Sequence, residues 1–183
     1  MLFRSIDALA AKHGREAVWH PVLLGALWKS TGIVPLAHVP RKGEYARHDW
    51  DRIARLTGIA YHEPAAFPIA TQLAARAFIA VRRDDPARAK TLAMALYSAY
   101  FAHGRDLSVA DTMLDVCADA GFDRAALDAA INDPSIKAEL KDEVALAEGR
   151  GVFGSPFIIV DGEAFWGWDR LPMVDRWLAQ GGF

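Results

Sequence analysis

The sequence predicts an α/β lobe split by an all-helical insertion. Strand-type material lies towards both ends, and a helical block of roughly 80 residues separates it. The third observation is the run Gly151-Val152-Phe153-Gly154-Ser155-Pro156-Phe157-Ile158-Ile159-Val160-Asp161-Gly162, a glycine-rich approach to an X-Pro bond followed at once by a β-branched stretch. Proline fixes its own φ, lacks an N–H and restricts the residue before it, so Pro156 belongs at the first position of a strand or in a tight turn. An ordinary trans edge-strand proline and a cis bond both fit the spacing. A cis bond would leave the N–H and C=O of Ser155 facing outward beside the strand, able to pair with an extended peptide.

In chain order, 2–13 reads as a helix with Phe3, Ile6 and Leu9 on one stripe, widened by Ala10 and ended by Gly14. Residues 17–24 (Ala17 to Leu24) alternate and are β-rich, which predicts a strand ending near Gly25. A loop with Gly32, Pro35 and Pro40 follows, then a helix over 44–56 that stops at Gly58. Ala-rich helices are predicted over 69–81, 87–103, 108–120 and 124–132, separated by Asp84-Asp85-Pro86, Gly104, Gly121 and Asp133-Pro134. Ser108 and Asp123 stand where N-caps belong. One more helix is predicted over 135–149, with Lys and Glu on its outer side. After the Pro156 strand, Asp161-Gly162 turns the chain into Glu163-Ala164-Phe165-Trp166-Gly167, and Trp168-Asp169-Arg170 opens a final helix over 171–178.

Composition narrows the function. With 183 residues, 52% apolar and 24% charged, the chain has the make-up of a soluble globular protein with length enough for a real core. A net charge of −2 gives no reason to expect nucleic acid or an anionic membrane as a partner. No apolar run reaches the length of a membrane span, and Asp7 falls inside what would be a signal-peptide core, so a cytoplasmic enzyme is the expectation. Cys117 is the single cysteine, which excludes an intramolecular disulfide or a CxxC pair, and it reads as a small buried apolar residue. The six histidines show no metal-ligand spacing, so no metal site is expected.

The Gly-X-Phe-Gly-X-Pro run with Phe165-Trp166-Gly167-Trp168-Asp169-Arg170 resembles the C-terminal half of 2-hydroxychromene-2-carboxylate isomerases and kappa-class glutathione transferases. Those are thioredoxin-like proteins with a helical insertion, related in fold to disulfide oxidoreductases of the DsbA type. The upstream segment Thr31-Gly32…Pro40-Arg41-Lys42-Gly43-Glu44-Tyr45…Asp49 is similar to their loop and following helix. The resemblance implies a thioredoxin-like fold interrupted by an all-helical insertion domain: residues 1–66 and 141–183 form the discontinuous thioredoxin-like part, and 67–140 the insertion. It implies glutathione as cofactor, lying extended along Ser155 beside a cis Pro156, with Asp169 and Arg170 at the γ-glutamyl end and Lys42 neutralising a carboxylate. It also implies an aromatic carboxylate substrate and a homodimer.

Family members begin with a strand and a Ser-Pro-Tyr-type turn whose serine activates the glutathione thiol. This sequence opens inside the first helix, so a truncated reading frame or late start is expected, with the serine and one interior strand missing from the sheet. Ile33 stands where the family has an asparagine near glutathione. On local grounds Asp169 is a helix N-cap, while Arg170 and Lys42 are solvated charges. The aromatics Trp28, Tyr45 and Trp168 are open to two readings, packing or lining a substrate cleft. Three functions remain in view: a glutathione-dependent isomerase or transferase, a thiol-disulfide oxidoreductase (for which the CxxC is lacking) and a non-catalytic relative that binds only. The expected outcome of light scattering at micromolar concentration is a dimer; a monomer would argue against the implied assembly.

Overall fold

The computed structural model describes the backbone of residues 2–183 and the side chains of 5–29 and 32–183. Phe3 of the predicted apolar stripe and Thr31 of the loop motif therefore lie outside the described side chains. Helix α1 (Leu2–Lys12) ends as read, with Gly14 in the left-handed region at φ 66°. Its C-terminal end is tied to α9 (Leu171–Gln180) through Asp175, which accepts from Lys12 Nζ at 2.9 Å and lies 2.6 Å from His13 Nε2.

The strand predicted over 17–24 is not formed. The segment is extended but belongs to no sheet, because its ladder groups are engaged elsewhere. Lys90 Nζ donates to the Ala17 carbonyl at 2.7 Å, Arg82 reaches the Trp19 carbonyl at 3.4 Å, and Pro21 has no N–H to offer. β propensity records a fit to a pleated, half-buried surface rather than a backbone preference, and no neighbouring strand supplies that surface among the described residues.

The last residue of that stretch opens a helix that the sequence reading missed, α2 (Leu24–Thr31), closed by Gly32 at φ 70°. Leu24, Leu27 and Trp28 follow helical spacing, and Leu27 is buried. A short 3₁₀ turn at Leu36–His38 then leads to α3 (Lys42–Thr57) and its left-handed cap Gly58. A side chain at Gly43 would place its Cβ 2.6 Å from the Ala37 carbonyl oxygen, so this glycine is what lets the turn lie against the helix.

The helical block consists of α4 (Gln72–Asp84), α5 (Pro86–Phe101), α6 (Ala110–Asp119), α7 (Arg124–Asn132) and α8 (Pro134–Gly149). α4 is its centre, because small residues let it bury two faces. Ala77 packs with Leu92, Met113, Cys117 and Ile131, whereas Ala75 and Ile79 meet Ile136 and Leu140 of α8. Cys117 is fully buried, and burial pushes its thiol up to about 11. The Asp-Pro pairs read as breakers are helix starts. Asp85 accepts from the N–H groups of Ala87 and Arg88 at 3.0 and 2.9 Å, with Pro86 at a position that needs no donor. Asp133 does the same for Ser135 and Ile136, and Asp123 caps α7 as expected. Ser108 does not cap α6. Its N–H and hydroxyl are taken by Asp106 at 2.9 and 2.6 Å, and the helix begins two residues later.

Strands β1 (Phe157–Val160) and β2 (Glu163–Trp166) pair antiparallel from Phe157↔Trp166 to Val160↔Glu163. Asp161 and Gly162 both have positive φ, 51° and 89°, the two-residue turn that right-twisted strands favour. Phe165 is buried and meets Trp177 of α9 edge-on at 5.9 Å. Arg15 Nη2 donates to Asp161 at 2.5 Å, tying the extended segment to the hairpin and holding that carboxyl below its usual range.

Removing the α8 cap by Asp133→Ala is expected to lower Tm at neutral pH by roughly 2–4 °C. Hydrogen bonds from Ser135 hold the Asp133 carboxyl below its ordinary 3.8 in the folded chain. Its contribution is therefore fully present above that value and is lost as pH falls through the lower folded pKa. Melting curves of the two proteins should converge well below pH 3.8; an equal gap at both pH values would contradict the cap.

Candidate functional site

The extended segment 15–22, α2, Trp50 and the C-terminal end of α3, the aromatic end of α5 and every residue of β1 line one cleft of about 1430 Å³. Its size follows from the fold. Among the described residues β1 bonds only to β2 and the extended segment to no strand, so no described strand fills the space between them.

At one edge of this cleft the peptide bond from Ser155 to Pro156 is cis. The Pro156 carbonyl accepts from Gly167 N–H at 3.1 Å, which closes the turn against the end of β2. The main-chain N–H and C=O of Ser155 have no partner among the described residues and Ser155 is exposed. The loop is fixed by aromatic packing. Trp28 Nε1 donates to the Phe153 carbonyl at 3.2 Å, and the Phe153 ring stands edge-on to Trp166 and Phe157 at 4.9 and 5.3 Å. Gly154 lies directly against the Trp166 indole, where a Cβ would come within 2.3 Å of Nε1.

The structure gathers part of the predicted site. Ser155, Pro156, Trp28 and Trp168 line the cleft, and so does Ile33. Asp169 and Arg170 lie in the 3₁₀ turn Trp168–Arg170, exposed and paired with each other at 2.6 Å, outside the cleft lining. Asp169 does not cap α9, whose first turn has no side-chain cap. Its carboxylate instead turns back over Gly167, leaving no room for a side chain there. Lys42 is the first residue of α3 and exposed; its N–H donates to the Pro40 carbonyl at 2.7 Å, and its ammonium has no partner among the described residues. Tyr45 is 62% exposed and bonds to Arg52, whose guanidinium also covers the ring at 5.7 Å. Neither Lys42 nor Tyr45 lines the cleft.

Two features escaped the sequence reading. One is an aromatic wall built from distant elements. Trp50 meets Phe67 at 5.4 Å, Phe67 meets Phe101 at 6.4 Å, and Phe101 meets Tyr97 and Tyr100 at 6.2 and 4.7 Å. Burial pushes the Tyr100 phenol up to about 12, and its O–H donates to the Ala66 carbonyl at 2.6 Å, just ahead of a second cis bond at Phe67–Pro68. The other is a buried carboxylate, Glu143, beside His20 at the cleft. Sequence spacing does not signal a pair 123 residues apart. No group of three or more His, Cys, Asp or Glu among the described residues has metal-binding geometry, and no helix there is long and apolar enough to cross a membrane.

The sequence profile of the DSBA-like thioredoxin domain matches residues 1–179. A 2-hydroxychromene-2-carboxylate isomerase of Sphingobium xenophagum is 28% identical over 118 residues, which cover 64% of this chain and 60% of that protein. The chain thus matches less than two thirds of that relative's length. Rat (Rattus norvegicus) glutathione S-transferase kappa 1 is 25% identical over 175 residues, covering 86% of this chain and 77% of that one. Among solved structures, a 2-hydroxychromene-2-carboxylate isomerase superposes with a TM-score of 0.85 at 21% identity, covering 97% of this chain and 87% of that one. A putative protein disulfide isomerase from Nitrosomonas europaea superposes at 0.61 with 18% identity, over 79% and 77% of the two chains. These two structures share the fold.

Gly154→Ala is expected to drive the proline loop off Trp166, costing about 1–3 kcal/mol of stability and changing tryptophan fluorescence. Unaltered melting and emission would show that the loop does not depend on this contact.

Proposed function

The chain belongs to the DSBA-like thioredoxin domain family, and from that premise we propose that it is a glutathione-dependent isomerase acting on an aromatic carboxylate. The observation that carries this reading is the open main chain of Ser155 beside its cis proline, at the edge of a cleft with an aromatic wall. The two relatives, an isomerase and a kappa glutathione transferase, support an enzyme of the isomerase or transferase kind.

Ser155 offers one donor and one acceptor in extended geometry, the pair a peptide strand needs; this is the observation on which glutathione fits the chain. Arg170 presents a guanidinium suited to a carboxylate and Asp169 a carboxylate suited to an ammonium. Their mutual pair is exposed, and such pairs contribute little. Exchanging it for the two charges of a γ-glutamyl end therefore costs the protein little. Lys42 brings a further cation at the start of α3 for a terminal carboxylate. Bound glutathione supplies a thiol, chemistry that the chain lacks on its surface because Cys117 is buried. Trp28 and Trp168 hold the loop and cleft edge, and the wall of Trp50, Phe67 and Phe101 fits a fused aromatic ring. In this reading the protein works as a homodimer.

Calorimetry with glutathione tests the proposal. Saturable binding is expected, weakened roughly tenfold or more by Arg170→Ala. Absence of heat at millimolar glutathione would leave a non-catalytic relative as the better reading.

A further inference from the structure

His20 stands in the extended segment just ahead of Pro21 and is one of the residues that line the cleft. Nδ1 is 2.8 Å from Oε2 of Glu143 on α8. That carboxylate is buried, with 10% of its side chain exposed, and its other oxygen is 2.5 Å from Arg82 of α4. Arg82 also donates to Glu139 at 2.8 Å and reaches the Trp19 carbonyl at 3.4 Å, so the carboxylate and the residue preceding His20 are fixed by one guanidinium. The imidazole itself is 42% exposed, and Nε2 has no hydrogen-bond partner among the described residues.

This geometry defines the tautomer. An ionised carboxylate has only acceptor sites, so the neutral ring donates its Nδ1–H to Glu143 and points the Nε2 lone pair outward. A buried carboxylate behind an imidazole also stabilises the charge that forms when Nε2 takes a proton, the arrangement that makes histidine an effective base. The charged groups around the pair are Arg82 from α4, Glu139 from α8, Lys90 from α5 with its partner Asp7 of α1, and Glu16, Arg15 and Arg150 at the cleft. Arg15 is committed to Asp161, and Lys90 to Asp7 and the Ala17 carbonyl.

We propose that His20 is a catalytic base that accepts the proton of a thiol held in this cleft, with Glu143 and Arg82 as positioning residues; the thiol's identity rests on the glutathione reading above. In the step the S–H bond breaks, its electron pair stays on sulfur, and the proton passes to Nε2. The Nδ1–H remains on Glu143, and thiolate and imidazolium form as a pair with no net change in charge. The proton returns by the same route when the thiol leaves. A thiol is mostly protonated at neutral pH and only its thiolate is a strong nucleophile, so the transfer supplies the reactive form.

The test compares the wild-type chain with His20→Gln, using S-methylglutathione, glutathione and thiophenol as probes. S-methylglutathione has no ionisable thiol and measures binding alone; its affinity is expected to be equal on both proteins, which also shows that the variant folds. The ultraviolet absorbance of thiolate then measures ionisation of bound glutathione against pH. At neutral pH the thiolate fraction is expected to fall at least roughly tenfold in the variant. Equal ionisation on both proteins would overturn the role of His20 while leaving the glutathione reading intact. Should neither glutathione nor its S-methyl form bind, that reading fails, and nitrogen-15 NMR of the His20 ring with thiophenol decides the proposal separately. A shift of Nε2 towards the imidazolium value upholds it for another thiol, and an unchanged ring overturns it.

Discussion

Arg82 is the side chain on which the positions of the other parts depend. One guanidinium joins α4 to two carboxylates of α8 and to the main chain of the extended segment. Burial works against its charge, as it works against the Glu139 carboxylate, but the hydrogen bonds between them outweigh that cost and hold the Glu139 pKa below its usual range. A buried ion pair of this kind is worth little against an apolar replacement, yet removing one partner strands the other and is strongly destabilising. What it provides is placement. The extended segment has no sheet to define its height or direction, and Arg82 with Lys90 performs that task by reaching carbonyls that a ladder would otherwise occupy.

Much of the fold could be read from local chemistry. The hairpin with its Asp-Gly turn, the Ala-rich helices and the glycine at the end of α3 each follow from a signal confined to a few residues. Where local signals mislead, the decisive partner is remote or two periodicities overlap in the same residues. Residues 17–24 carry a strand pattern but have no strand to pair with, and the helical spacing of Leu24, Leu27 and Trp28 was hidden beneath it. Ser108 has no capping role because its hydroxyl, like its own N–H, donates to Asp106, and α6 starts only at Ala110.

The site divides along the same line. Ser155 and Pro156 were legible because an X-Pro bond entering a β-branched run is a local statement about the backbone. Trp28 could be placed only when α2 was known, since its indole reaches Phe153 across 125 residues. The aromatic wall and the His20–Glu143 pair have no sequence signature at all. They exist because α3, α5 and α8 and the segments that carry His20 and Phe67 come together at one cleft.

The burial of Cys117 has a bearing on redox chemistry. Its sulfur lies 3.5 Å from Met113 Sδ inside the helical block, fully removed from solvent, and its high pKa keeps it protonated. A thiol bound in the cleft therefore does not reach the sulfur of Cys117 to form a mixed disulfide. Oxidised glutathione, likewise, finds no accessible thiol to capture. On the function proposed above, a bound thiol would serve as the nucleophile while Cys117 takes no part in exchange.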